Sequence, residues 1–157
     1  MNKYPITKKH TITCRTPIKI KDITIEAFGV VHSLRAPAVG YRITAGKTTI
    51  FYVPDLIAIQ ERAHALKDIA LYIGDGATID RPLVRRSAEG ELFGHTTIRA
   101  QLGWCEQEGV PRAIFTHCGS QIVGGNTKKI TQKINRYAQT KKIPTQIAID
   151  SMEVILQ

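Results

Sequence analysis

The sequence lacks several features that would at once assign it to a class of protein. No apolar run approaches the roughly 20 residues of a membrane-spanning helix, and the basic, polar residues Met1 to His10 show no signal-peptide core. Cysteine is scarce: Cys14, Cys105 and Cys118 are an odd number and form no Cys-x-x-Cys motif. Free thiols suit a reducing compartment, so we expect a cytoplasmic protein without a membrane partner.

The sequence also lacks a dense cluster of metal ligands. Its five histidines are dispersed, and the motif His-x-His-x-Asp-His occurs nowhere. Instead, a His or Asp stands at the end of apolar, strand-like runs in four motifs: Val31-His32-Ser33, Pro54-Asp55, Phe93-Gly94-His95-Thr96-Thr97 and Phe115-Thr116-His117-Cys118-Gly119. Hydrolase metal sites need imidazoles and carboxylates held rigidly, and converging strand ends provide them. The sequence therefore predicts about half of a metal site.

Three of these residues, His32, Asp55 and His117, have the properties of metal ligands. Each follows a predicted strand directly, so its side chain can point into a crevice shared with the others. Taken singly, each has a structural explanation as well, since a strand-end His is often buried and an Asp after Pro often caps a turn or helix. Cys118 stands beside His117, but a lone cysteine at a strand end is more often a packing residue than a ligand.

Composition predicts one globular domain, residues 1–157, with a basic surface. The hydrophobic fraction of 43% is ordinary for a globular protein, and the chain is long enough to bury a core. The formal charge is +9, and many of the cations lie between Lys128 and Lys142. This balance favours anionic partners such as nucleic acid or phosphate esters. The alternative is a solvated helix face, because Tyr137 is the one aromatic residue among these lysines.

Alternating and continuous apolar runs predict a sheet with amphipathic helices. We expect strands at Thr11–Arg15, Pro17–Ile20, Asp22–Val31, Val39–Thr44, Thr48–Val53, Ile69–Ile73, Arg112–Thr116, Thr145–Asp150 and Met152–Leu156. Helices are predicted over Ile57–Leu66, after a cap at Thr96 or Thr97, and after a cap at Asn126 or Thr127. Thr78 to Phe93 has no periodicity and is predicted to be a long loop of the kind that borders a site.

From Ile18 to Leu156 the order and spacing of these motifs resemble the second half of a metallo-β-lactamase-fold hydrolase. The resemblance is strongest to the branch of ribonuclease Z and the cyclic-phosphate phosphodiesterase of phosphonate breakdown. It rests on Val31-His32-Ser33, Val39-Gly40-Tyr41-Arg42-Ile43, Tyr52-Val53-Pro54-Asp55, Gly94-His95-Thr96-Thr97, Phe115-Thr116-His117 and the closing turn Asp150-Ser151-Met152-Glu153. It implies an α+β fold: a mixed sheet with helices on one face, half of an αββα sandwich.

The resemblance also implies a role for each site residue. His32 corresponds to a ligand of one metal, Asp55 to the carboxylate that bridges two metals, and His117 to a ligand of the second metal. His95 corresponds to a histidine that contacts the scissile phosphate and donates a proton, so Asp55 and His95 are the expected catalytic residues. The expected cofactor is a divalent metal, zinc first, with manganese or iron as alternatives because His and Asp ligands suit all three.

The departure from the family is the missing His-x-His-x-Asp-His cluster. Three explanations compete: a hydrolase half completed by another polypeptide, a shortened relative without activity, or association of two copies as a homodimer. The first function hypothesis is therefore a metal-dependent hydrolase of phosphodiesters, completed by a second copy or an N-terminal half that carries the cluster. The second is a non-catalytic binding module that retains the fold without two metals. Sheet strands that are apolar on both faces would require such a partner.

Overall fold

In the computed structural model, residues 10–156 are described and form ten strands and four helices. The strands are β1 (Ile18–Ile20), β2 (Ile23–Val31), β3 (Ala38–Ala45), β4 (Thr48–Tyr52), β5 (Ala58–Ile59), β6 (Leu71–Asp75), β7 (Leu83–Arg86), β8 (Leu92–His95), β9 (Ala113–Thr116) and β10 (Thr145–Ile147). The helices are α1 (Arg62–Leu66), α2 (Ile98–Gln107), α3 (Ser120–Val123) and α4 (Thr127–Lys141).

Eight strands form one mixed sheet in the order β1-β2-β3-β4-β6-β9-β10, with β5 paired to β2. Strands β1 to β4 are antiparallel neighbours, whereas β4, β6, β9 and β10 run parallel to one another. This confirms the predicted α+β class with a mixed sheet. Because β3 is antiparallel to both β2 and β4, the strands β2, β4, β6 and β9 all end at the same edge of the sheet.

One face of the sheet carries the hydrophobic core. The register aligns Phe51, Tyr72 and Ala113 across neighbouring strands, and Phe28 and Phe115 share that face. All five are at most 1% exposed. Helix α2 adds Ile98, Leu102 and Cys105, and helix α4 adds Ile134, to the same core. Burying this much aromatic and aliphatic surface is the main favourable term in folding.

The opposite face is apolar as well, but its outer part remains accessible. The register places Ile25, Ile43 and Ile50 in one row across three strands, and all three are half-buried. Ile20, Ile23 and Tyr52 lie on the same face and are 44%, 39% and 37% exposed. The central positions of this face, Leu71 and Ile114, are buried. We call Ile20, Ile23, Ile25, Ile43, Ile50 and Tyr52 the open face.

Two helix termini have the predicted caps. The side chain of Thr97 accepts a hydrogen bond from the backbone N–H of Ala100 at 3.0 Å, and that of Asn126 accepts from Lys129 N–H at 3.0 Å. Each satisfies a backbone donor that has no partner within its helix. Because Thr97 caps α2 and stands two residues after His95, the cap also fixes the direction of the chain just after His95.

Several predicted elements were wrong in extent or type. Ile57–Leu66 is not one helix: Ala58 and Ile59 pair with β2, and only Arg62–Leu66 is helical. Thr11–Arg15 contributes one isolated bridge, between Cys14 and Ala27, rather than a strand. Strand β10 ends at Ile147, and Met152–Leu156 forms no strand. Short apolar runs do not distinguish helix from strand, and in these segments tertiary pairing decides.

The largest error concerns Thr78–Phe93, which contains a hairpin rather than only a loop. Strands β7 and β8 pair antiparallel, with Leu83 opposite His95 and Arg86 opposite Leu92. Every residue of β7 is exposed, so neither face of the strand is apolar and the sequence shows no alternation. A hydrophobic period therefore cannot reveal this hairpin. Among the described residues, no helix is long and apolar enough to cross a membrane.

Candidate metal centre

The structure brings His32, Asp55, His95 and His117 together at the edge where the strands end. His32 follows β2, Asp55 follows β4, His95 ends β8, and His117 follows β9. The ring centroids of His32 and His95 are 5.0 Å apart, and those of His95 and His117 are 5.6 Å apart. His32, Asp55 and His117 thus meet because β2, β4 and β9 end on the same side of the sheet, and the hairpin β7–β8 adds His95.

One oxygen of Asp55 is the common point of the three imidazoles. Its Oδ1 lies 3.0 Å from Nδ1 of His117, 3.8 Å from Nδ1 of His95 and 4.0 Å from Nε2 of His32. The Asp55 side chain is 35% exposed and that of His117 is 52% exposed. The site is therefore built into the protein on one side and open to solvent on the other.

The backbone around Gly94 fixes the orientation of His32. Nδ1 of His32 lies 3.0 Å from the Gly94 carbonyl oxygen, and the Gly94 N–H donates to the His32 carbonyl oxygen at 2.9 Å. A carbonyl can only accept, so Nδ1 of His32 carries the proton and Nε2 has its lone pair directed at Asp55. This is the tautomer that a metal-binding imidazole requires.

Asp75 is the site residue that the sequence analysis missed. It ends the central strand β6 and is completely buried. Its carboxylate accepts hydrogen bonds from Leu56 N–H at 3.0 Å and Ala77 N–H at 2.8 Å, and His95 Nδ1 lies 2.7 Å from Oδ2. The signal available in the sequence was Gly74-Asp75-Gly76 at the end of an apolar run, the same pattern that singled out the other four residues.

A buried glutamine from helix α2 supports the backbone of Asp75. The Asp75 N–H donates to Oε1 of Gln101 at 2.9 Å, and Nε2 of Gln101 donates to the Asp75 carbonyl at 2.8 Å. The Tyr72 hydroxyl donates to the same Oε1 at 2.9 Å. Burial raises the pKa of Tyr72 well above its ordinary value, with smaller contributions from Cys105 and Asp75, so the hydroxyl remains a donor. The network holds Asp75 in one position.

His117 and Cys118 form the outer wall of the site. His117 has a φ of 52°, in the left-handed region that non-glycine residues rarely adopt, and this turns the chain sharply after β9. Burial, with a smaller effect of the nearby Asp75 charge, raises the pKa of the Cys118 thiol. The Cys118 Sγ lies 3.9 Å from the Phe115 carbonyl oxygen, and Cys118 belongs to neither group of converging ligand atoms.

The donor set fits a divalent metal. Two groups have ligand atoms within 4.8 Å of one another: His32, Asp55 and His95, and Asp75, His95 and His117. Asp75 is the weaker candidate of the two carboxylates, because two backbone N–H groups and His95 already use its oxygens. Asp55 has free lone pairs and a half-exposed side chain. Imidazole and carboxylate donors with an open side are the composition of a catalytic metal site.

Comparison with known proteins agrees with this fold. The family model described as the beta-lactamase superfamily domain matches residues 1–118. The chain belongs to the beta-lactamase superfamily. No curated protein matches the chain.

Two solved structures show the same fold. The metallo-beta-lactamase fold protein YhfI from Bacillus subtilis is 15% identical, with a TM-score of 0.60, and the match covers 87% of this chain and 51% of that one. An isothiocyanate hydrolase from gut bacteria of Delia radicum is 12% identical, with a TM-score of 0.62, and the match covers 89% and 57%. The chain therefore spans little more than half the length of these two proteins.

Proposed function

We propose that the chain carries part of the active site of a metal-dependent hydrolase that cleaves phosphodiesters. The observation that supports this most strongly is the convergence of three imidazoles on one oxygen of Asp55, at distances of 3.0 to 4.0 Å. Membership of the superfamily supports a hydrolase-like fold. The basic balance of the chain, +9, favours an anionic substrate over a neutral one.

In this proposal His32 and Asp55 would hold one divalent metal, and Asp55 and His117 would hold a second; we take the metal to be zinc. A divalent cation at this position lowers the pKa of a bound water and neutralises charge on an anionic substrate. The protein's own contribution is orientation. The Gly94 carbonyl fixes His32, and the open side of Asp55 and His117 leaves room for a substrate.

His95 is proposed as the general acid, with Asp75 as its positioning residue. The Asp75 carboxylate fixes the proton of His95 on Nδ1, which leaves Nε2 free to hold or transfer a proton at the leaving oxygen. Asp75 is buried and touches no solvent, so it acts through His95 alone. The arrangement keeps the ring in one orientation and in one tautomer.

The site is proposed to be completed from outside residues 1–157. Asp75 continues the alternation of Leu71 and Ile73 along β6, so the metal centre borders the same side of the sheet as the open face. A second sheet layer laid on the open face would reach the exposed side of Asp55 and His117. We propose an N-terminal half bearing His-x-His-x-Asp-His as this layer, or a second copy of the chain.

We also propose a cytoplasmic location for the chain. All three cysteines are free, and a reducing compartment would keep them so.

The alternative proposal is a binding module without catalysis. One observation favours it: the 3.0 Å contact between Asp55 and His117 already satisfies both groups without a metal. A chain of this kind would keep the fold and the imidazole cluster but would bind one metal at most. The two proposals differ in whether a completed assembly turns over substrate.

An assay of the completed assembly distinguishes the two proposals. The chain is co-expressed with a polypeptide that carries His-x-His-x-Asp-His, taken from the sequence directly upstream of its gene, and hydrolysis of bis(4-nitrophenyl) phosphate is measured with zinc. We expect zinc-dependent turnover that falls about 10²–10⁴-fold in His95→Ala, the range for loss of a general acid. A stable, zinc-loaded assembly without turnover would favour the binding module.

A further inference from the structure

The hairpin β7–β8 and His95 enclose a cleft that the proposed chemistry does not use. Its volume is about 610 Å³, and His95 forms part of its wall together with Arg81, Arg85, Phe93 and Gln121. Ligand sites commonly have volumes of about 300–1,000 Å³. The cleft therefore has the size of a small-molecule site and shares a wall with the candidate metal centre.

The pairing of the hairpin directs Arg85 toward the same side as His95. Leu83 is opposite His95 and Arg85 is opposite Phe93, so these four residues share one face of the hairpin. Arg86 is opposite Leu92 and lies on the other face. Two arginines that are neighbours in the sequence therefore have different surroundings, and only Arg85 faces the cleft.

Arg81 and Arg85 are available to bind an anion. Both are exposed, and within residues 10–156 no carboxylate forms an ion pair with either guanidinium. The acidic residues of the hairpin, Glu89 and Glu91, are not part of the cleft wall. A guanidinium presents paired N–H donors that match two oxygens of one phosphate. The remaining wall is largely apolar, with Leu83 and Phe93 among its residues.

The hairpin is anchored to the metal centre by Gly94. Its φ is 120°, and a Cβ atom there would lie 2.0 Å from the Leu83 carbonyl oxygen, so only glycine permits this close pairing. The backbone of the same residue makes both hydrogen bonds to His32. The cleft and the metal centre thus hold a fixed distance from each other.

We propose that this cleft is the substrate-recognition site of the enzyme. Arg81 and Arg85 bind the phosphate of a phosphodiester monoanion, and an aromatic or apolar substituent of the ester packs against Leu83 and Phe93. This inference rests on the proposed function for its choice of substrate, because His95 at the cleft wall is the proposed acid. It assigns the two arginines to binding and leaves the chemistry to the residues around Asp55.

Binding to the metal-free chain tests the assignment separately from catalysis. The ¹⁵N-labelled chain 1–157, freed of metal, is titrated with bis(4-nitrophenyl) phosphate and followed by NMR. We expect shifts at residues of the hairpin and at His95, and Kd values raised about three- to tenfold in Arg81→Gln and in Arg85→Gln. Arg86→Gln, the matched control on the opposite face of the hairpin, should change Kd less than about twofold.

If Arg86→Gln raised Kd as much as Arg85→Gln, binding would depend only on general surface charge, and the proposal would be overturned. Unchanged affinity in both cleft variants would overturn it as well. Should Arg85→Gln fail to fold, Arg85→Lys keeps the charge without the paired donors and should still raise Kd. Failure of the completed assembly to hydrolyse the same ester would reject the proposed function while leaving this binding result intact.

Discussion

At the scale of single residues, the site depends on where protons and lone pairs are held. The Gly94 carbonyl and the Asp75 carboxylate each fix one proton on Nδ1 of a histidine, His32 and His95 respectively. In both rings Nε2 then carries the lone pair. The difference between them is their partner: a backbone carbonyl holds His32, whereas the buried carboxylate of Asp75 holds His95.

Asp75→Asn should separate these two roles. The change keeps the volume of the side chain but replaces one carboxylate oxygen by an N–H₂ group. This group would face another donor, either Leu56 N–H or His95, so we expect the free energy of unfolding to fall by about 1–3 kcal/mol. Turnover of the completed assembly should fall further than zinc affinity. Thermal denaturation, zinc calorimetry and kcat are the three measurements, and a loss confined to zinc binding would show that Asp75 is a ligand.

At the scale of secondary-structure elements, the sequence predicted strands with one buried face more accurately than it predicted elements whose two faces are both exposed. The strands β2, β3, β4, β6 and β9 were predicted because their apolar residues alternate or run continuously. The hairpin β7–β8 has no apolar face and leaves no periodic pattern, whereas α1 was predicted but with a start five residues too early, because Ala58 and Ile59 pair with β2. His32, Asp55, His95 and His117 were found as strand-end residues, whereas Asp75 was missed although Gly74-Asp75-Gly76 ends an apolar run in the same way; its contact with His95 is a tertiary property.

Two glycine substitutions test the anchoring of the hairpin. Gly94→Ala places a Cβ against the Leu83 carbonyl at a φ of 120°, so it should destabilise the protein by about 1–3 kcal/mol and displace His32. Gly103→Ala is the matched control: it lies in helix α2 with nothing within 4 Å of the new Cβ and should stabilise by about 0.5–1 kcal/mol. Thermal melts of both variants give the comparison, and equal melting temperatures would contradict the close pairing at Gly94.

At the scale of the whole molecule, the sheet has one face in the core and one that remains partly accessible. The matches cover 51% and 57% of the two similar solved structures, so those proteins contain about as much polypeptide again. A partly accessible row of isoleucines is unfavourable in water and promotes association. The side chain of Asp75 and the open face lie on the same side of the sheet, which is why we propose that a single partner layer covers both the open face and the metal centre.

Association of the chain should therefore depend on the open face. Light scattering at low micromolar concentration should detect dimers or larger species, with an interface of roughly 2,000 Å² or more if the dimer is obligate. Ile43→Lys, in the middle of the row, should shift the population toward monomer, whereas Lys47→Ala at the exposed β3–β4 turn should not. A monodisperse monomer that binds no hydrophobic dye would mean that residues 1–157 close a core of their own.

The central proposal is the metal centre of His32, Asp55 and His117, and zinc calorimetry on the chain tests it most directly. We expect one zinc per chain, bound more weakly than in a four-ligand site, with affinity lowered at least about tenfold in His117→Ala and lost in Asp55→Ala. His64→Ala is the control, because His64 lies on α1 with a side chain that is 68% exposed, and it should bind like the parent. Zinc binding of equal strength in the parent, Asp55→Ala and His117→Ala would contradict the metal centre.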